Sequence, residues 1–318
     1  MVEKNRLINF PISFFSIMLG LLGFTIANQK AVEILHLPYK ISSIMIWLSV
    51  GIFSLLLIVL ITKLIKYTSV VIEDYNHPIK MNFFPTIGIS LIMFSIVFIE
   101  INFALARNLW IIGTIIQTIF TFSLISKWMH QDVFKITHFN PSWFIPAVGN
   151  ILIPVSGISF YSKEISWFYF SVGFILWIVL LTIFFYRAFS HSKIAEKMLP
   201  TLFLLMAPQA VGFIAYVKLT GVVDPFAKIL YYFTLFTAML LLTQFRYFSK
   251  IKYYLSWWAY SFPISAFSIA TMLMLHKTNL SFFKYVAYFG FGILNVLIVI
   301  LIFQTIKYMI KKEICIEE

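Results

Sequence analysis

Leu255 to Thr271 read LSWWAYSFPISAFSIAT, an apolar run broken by Pro263. Proline removes a backbone donor and clashes one turn back, so within a helix it marks a bend or a break. The same signature recurs along the chain. Ten apolar segments fall at roughly 10–28, 41–66, 83–103, 108–129, 143–161, 166–188, 199–219, 226–247, 255–275 and 282–309. The odd segments carry Pro11, Pro85, Pro146 with Pro154, Pro208 and Pro263, and the even segments carry none. In a bilayer, irregular backbone survives only where protein or a water-filled cavity satisfies the freed carbonyls. Five bent helices alternating with five straight ones predict an inner ring and an outer ring.

Composition sets the class. The chain has 318 residues, of which 61% are hydrophobic and 11% charged, and its mean hydropathy is +0.93. Soluble domains carry about 25% charged residues. The expectation is an all-α polytopic membrane protein, one transmembrane domain over 1–318, with segments of about 20 residues that match the hydrocarbon thickness. Long segments without alternating polarity exclude a β-barrel. Lys4 and Arg6 precede the first run as in a signal peptide, but no small-x-small cleavage site follows, and Pro11 continues the proline pattern.

The leading prolines of successive odd segments stand 74, 61, 62 and 55 residues apart. A period near 60 implies five similar helical hairpins, arranged with pseudo-five-fold symmetry, the odd helices forming a pore. Of the 24 Lys and Arg, 16 fall on the face holding the N-terminus and 8, Lys40 among them, on the other. The positive-inside rule then places both termini in the cytoplasm. The net charge of +12 is spread over many short loops, which argues against a nucleic-acid patch.

Chemistry-bearing residues are sparse. The six histidines (His36, His77, His130, His138, His191, His276) lie in loops or at segment ends, and Cys315 stands alone in the polar tail. No metal-binding pair, P-loop, GxSxG or paired carboxylates occur, so no catalytic residue, metal or cofactor is expected. Among the charges, Glu100 is positioned to pair with Arg107 at the membrane interface. Asn150 and Gln209, on proline-bearing segments, are the best neutral polar candidates for a pathway, with helix packing as their alternative role. Phe14, Gly20 and Gly88 are further candidate pore-lining positions, and Gly23, Gly149 and Gly212 fit an inner ring approaching the axis.

Five stretches carry a family resemblance: NFPISFFSIMLG (Asn9–Gly20), HPIKMNFFP (His77–Pro85), NPSWFIPAVGN (Asn140–Asn150), MAPQAVGFIAY (Met206–Tyr216) and WWAYSFP (Trp257–Pro263). In order and over nearly the whole chain, they resemble the plant guard-cell slow anion channels and their bacterial TehA-type relatives, the tellurite-resistance/dicarboxylate transporter family. The resemblance implies ten helices, a pore of odd helices in each subunit of a homotrimer, and a phenylalanine of the ninth helix that occludes the pore. The matching position is Phe262. It also implies a gated anion channel in the plasma membrane, bacterial inner membrane for the TehA type, conducting chloride or nitrate. Carriage of C4-dicarboxylates such as malate, of tellurite or of sulfite is the alternative. The partners expected are small anions, the lipid bilayer and further copies of the chain.

Overall fold

The computed structural model describes residues 6–37, 41–191 and 193–315; Lys4 and Lys40, both counted above, lie outside them. The described residues contain helices and no strand. In chain order the α-helices are α1 (Phe15–Leu35), α2 (Ile41–Lys66), α3 (Thr68–Asn76), α4 (Thr86–Phe98), α5 (Phe103–His130), α6 (Phe144–Gly157), α7 (Lys163–Ser190), α8 (Ala207–Thr220), α9 (Pro225–Thr243), the single turn α10 (Phe245–Phe248), α11 (Ser261–Thr278) and α12 (Ser281–Ile310).

Burial separates two sets. The spans built on α1, α4, α8 and α11 are 78% to 89% buried, and those of α2, α5, α7, α9 and α12 only 28% to 33%. Every residue of α6 is buried. The five buried helices touch in a closed circuit, α1 to α4, α6, α8, α11 and back to α1, and each packs against the exposed helix that follows it in sequence. The exposed set presents large apolar side chains outward, such as Trp47, Ile58, Phe122, Phe189 and Val299, as a lipid-facing surface requires. Hydroxyls on the buried helices bond to carbonyls one turn back on their own helix: Thr25 to Leu21, Ser90 to Thr86, Ser265 to Ser261, Thr271 to Phe267. Those groups are satisfied locally and leave the ring interior apolar.

Among the described residues, nine helical spans are long and apolar enough to cross a membrane. The fifth segment, read as 143–161, is shorter: a three-residue 3₁₀ turn (Pro141–Trp143) leads into the 14 residues of α6. Pro154 lies inside that helix, and tight turns from Ile158 to Tyr161 close it at Gly157.

The prolines sit differently from the expectation. Each inner helix is preceded by a 3₁₀ stretch: Ile12–Phe14, Lys80–Phe83, Pro141–Trp143, Glu196–Leu205 and Leu255–Tyr260. These five stretches also touch in a closed circuit, a collar at the end of the bundle where the inner helices begin. Pro11 and Pro85 occupy cap positions, and Pro146, Pro208 and Pro263 fall in the first α turn. Pro208 and Pro263, expected to bend their helices, are therefore at 3₁₀-to-α junctions, where the missing N–H has no intrahelical acceptor to lose. Only Pro154 is internal to an α-helix.

Glycines hold inner helices to their neighbours. A Cβ on Gly113 of α5 would stand 2.9 Å from both the Gly88 carbonyl and the Ile92 nitrogen of α4. Backbone cannot yield there as a side chain can. Gly113→Ala is expected to lower stability by about 1–3 kcal/mol, read as thermal unfolding of the detergent-solubilised protein. Gly51→Ala, at a site with nothing within 4 Å, serves as the neutral control.

Candidate pore site

All five inner units deliver side chains to one central point. Leu19 comes from α1, Ile89 from α4, Phe144, Ile145 and Val148 from α6, Leu204 from the 3₁₀ stretch before α8, and Phe262 from α11. They enclose a cavity of about 10 Å³, at most the space of one water molecule. Every lining side chain is apolar. A constriction of this kind stops ions by sterics and by dewetting.

The local sequence fixes the Phe262 ring. Trp258, 2% exposed, donates from its indole nitrogen to Thr305 Oγ1 of α12 at 2.9 Å, pinning the 3₁₀ stretch that precedes the ring. Ser261 Oγ donates back to the Trp258 carbonyl. Phe262 is 5% exposed. Gly23 of α1 lets α11 approach closely, a Cβ there meeting Ser265 Cβ at 2.9 Å, and the Phe262 ring lies beside it, 3.7 Å from the same point.

The other candidates lie elsewhere. Phe14 stacks on Phe10 in the collar with centroids 5.0 Å apart, outside the cavity lining. Gly20 abuts Ser261 and Trp258 at the α1–α11 contact, Gly88 faces α5, Gly149 faces Gln117 of α5, and Gly212 faces Leu230 of α9. Asn150 Nδ2 donates to Thr121 Oγ1 of α5 at 2.9 Å and to the Pro146 carbonyl at 2.8 Å. Gln209 Nε2 donates to Thr237 Oγ1 of α9 at 3.1 Å. Both amides thus join inner to outer helices. Leu19, Ile89, Ile145, Val148 and Leu204 were not singled out from sequence; they are aliphatic residues among many, and only the convergence of five helices distinguishes them. Glu100 makes no ion pair with Arg107 among the described residues.

A charged cluster unseen in the sequence braces the collar. Lys63, on α2 and 3% exposed, donates to Asp74 Oδ2 of α3 at 2.8 Å and to the Phe10 carbonyl at 2.9 Å. Lys80, from the 3₁₀ stretch before α4, reaches Asp74 Oδ1 at 2.7 Å. Burial pushes the Asp74 carboxyl up, but the hydrogen bonds and charges of Lys63 and Lys80 outweigh it and hold the group below its ordinary value. His77 Nδ1 accepts from the Ile79 and Lys80 backbone, and burial with the Lys80 charge keeps its ring below the usual histidine value.

A closed ring of five helices around an apolar plug fits a transport protein, and sequence comparison decides which. The family model described as SLAC1, voltage-dependent anion channel, matches residues 9–306. The chain belongs to the SLAC1 family. It is similar to an uncharacterized transporter of Methanocaldococcus jannaschii, at 28% identity over 94% of each chain. It is also similar to the S-type anion channel SLAH3 of Arabidopsis thaliana, at 28% identity over 84% of this chain and 43% of that one. To the tellurite resistance protein TehA homolog of Haemophilus influenzae it is 24% identical over 95% of this chain and 92% of the relative. SLAC1-family membership makes this a multi-pass membrane protein from a family of anion channels and transporters rather than of enzymes.

Proposed function

We propose that this chain is a gated channel for small monovalent anions, chloride and nitrate, with the conduction path along the axis of the inner ring and Phe262 as its gate. The observation that carries this reading is the apolar plug to which all five inner units contribute. Ten membrane crossings in five hairpins of pseudo-five-fold arrangement, a homotrimer with one pore per subunit, cytoplasmic termini and a plasma-membrane location, the inner membrane in a bacterium, complete the proposal. In this topology the collar faces the cytoplasm, in keeping with the excess of Lys and Arg on that side.

The lining supports a selectivity. No inner-helix cation reaches the plug, so anions pass by shedding water rather than by binding a fixed charge. Large, easily dehydrated anions are then favoured, and nitrate is expected to conduct better than chloride. Likeness to the TehA homolog supports a second reading, transport of tellurite, sulfite or C4-dicarboxylates such as malate. Currents in planar bilayers with nitrate, chloride, sulfate, sulfite and malate exchanged in turn decide between them. Sulfate or malate carried faster than nitrate defeats the monovalent-anion channel.

A further inference from the structure

Three inner helices, α1 and α4, which line the plug, and α8, whose preceding 3₁₀ stretch does, run on toward the far mouth and bring charges to it. Eleven residues make about three helical turns, so that step returns to the same face about 16 Å further on. From Leu19 it reaches Lys30, and from Ile89 it reaches Glu100, just past the end of α4. On α8 the orientation follows from the opposite side. Gln209 bonds Thr237 on α9 and Tyr216 donates to Asp224 at the start of α9 at 2.6 Å, so both mark the face turned outward. Lys218 lies about half a turn from each and points to the axis.

Burial agrees. Val217 and Leu219 are 2% and 3% exposed, while Lys218 between them is exposed. The charges of Lys30, Glu33 and Glu100 lie close enough to act on it, in keeping with the shared mouth that the helical periodicity gives. Lys30 is held by Glu33. Lys218 has neither an ion pair nor a hydrogen bond among the described residues.

We infer that Lys218 is an anion-docking residue at the far mouth of the pore, its attraction tempered by the Glu100 carboxylate. The inference rests on the channel reading and deepens it. An unpaired, hydrated ammonium attracts an anion without holding it tightly, which suits conduction. The Glu100 carboxylate opposes that attraction, so that the anion is released readily.

The test uses the full chain in proteoliposomes, as wild type and as Phe262→Ala, with anion flux measured against concentration. Lys218→Gln is expected to raise the half-saturating chloride concentration about three- to fivefold at low ionic strength. Lys218→Arg is expected to restore it, and the difference should shrink as salt screens the charge. Glu100→Gln is expected to lower the half-saturating chloride concentration, and no change would remove Glu100 from the inference. Flux in Phe262→Ala equal to wild type would overturn the gate alone, because the Lys218 comparison stands in either background. Unchanged half-saturation in Lys218→Gln overturns the docking role, and so does Lys218→Arg behaving like Lys218→Gln. Should Lys218→Gln assemble poorly, Lys218→Cys in a Cys315→Ser chain, treated with positively or negatively charged thiol reagents, replaces it. The positive adduct must then outperform the negative one; equal flux overturns the inference.

Discussion

Phe262→Ala is expected to raise anion current at least about tenfold while the protein still assembles. The ring is one of seven side chains around a space for at most a single water, and chloride and nitrate are both larger than that. Removing it opens the plug on the α11 side, where Gly23 offers no side chain to refill the gap. Each 1.4 kcal/mol or so taken from the barrier multiplies the rate tenfold, and a dewetted aromatic plug accounts for at least that much. In a dry core the same truncation costs about 3–5 kcal/mol of stability. Here the space opens onto an axis that water can enter, so the loss of stability should be smaller. Phe262→Leu keeps the plug apolar and should fall between. Size-exclusion profile and thermal unfolding check assembly, and bilayer current reads the gate. A well-assembled Phe262→Ala protein with wild-type current would remove Phe262 from the gate.

The two-ring architecture was legible because proline spacing reports backbone irregularity, which only the enclosed helices tolerate. What the spacing did not reveal was the kind of irregularity. A proline at a 3₁₀-to-α junction and one in a helix interior look alike in sequence, and Pro208 and Pro263 proved to be the former. Gly20, Gly88 and Gly149, read as lining or approaching the axis, lie against neighbouring elements instead, because a missing side chain does not say what approaches. Asn150 and Gln209 likewise turn outward to threonines of α5 and α9. The plug residues Leu19, Ile89 and Leu204 are chemically indistinguishable from lipid-facing aliphatics, and Phe262 was singled out of 36 phenylalanines only through resemblance. Asp74 escaped notice because its partners stand on separate elements, and a lone acid in a short polar stretch reads as solvated.

Breaking that buried cluster should produce the largest loss of stability. Asp74 is 7% exposed and Lys63 3%, and an uncompensated buried charge costs about 3–5 kcal/mol. Asp74→Asn leaves the Lys63 ammonium with neutral acceptors and no counter-charge, and is expected to cost about 3 kcal/mol. Lys63→Met spares more, because Lys80 stays 2.7 Å from the carboxylate, and about 2 kcal/mol is expected. The double variant should cost less than the sum, since neither charge is then left alone. Acidity supplies an independent check. A carboxyl held below its unfolded value of about 3.9 contributes stability that is fully present above that pH and is lost as pH falls through the lower folded value. The gap in unfolding temperature between wild type and Asp74→Asn should therefore stay constant from pH 8 to 5 and close below about pH 4. A gap that does not begin to narrow as pH falls below about 4 and continues downward would mean that the ionised carboxylate is not what braces α2 and α3 against the collar. The same bonds fix the Phe10 carbonyl, which leads directly into Pro11 and the 3₁₀ stretch before α1. Loosening them unseats the start of the helix that carries Leu19 to the plug and Gly23 to the Phe262 ring.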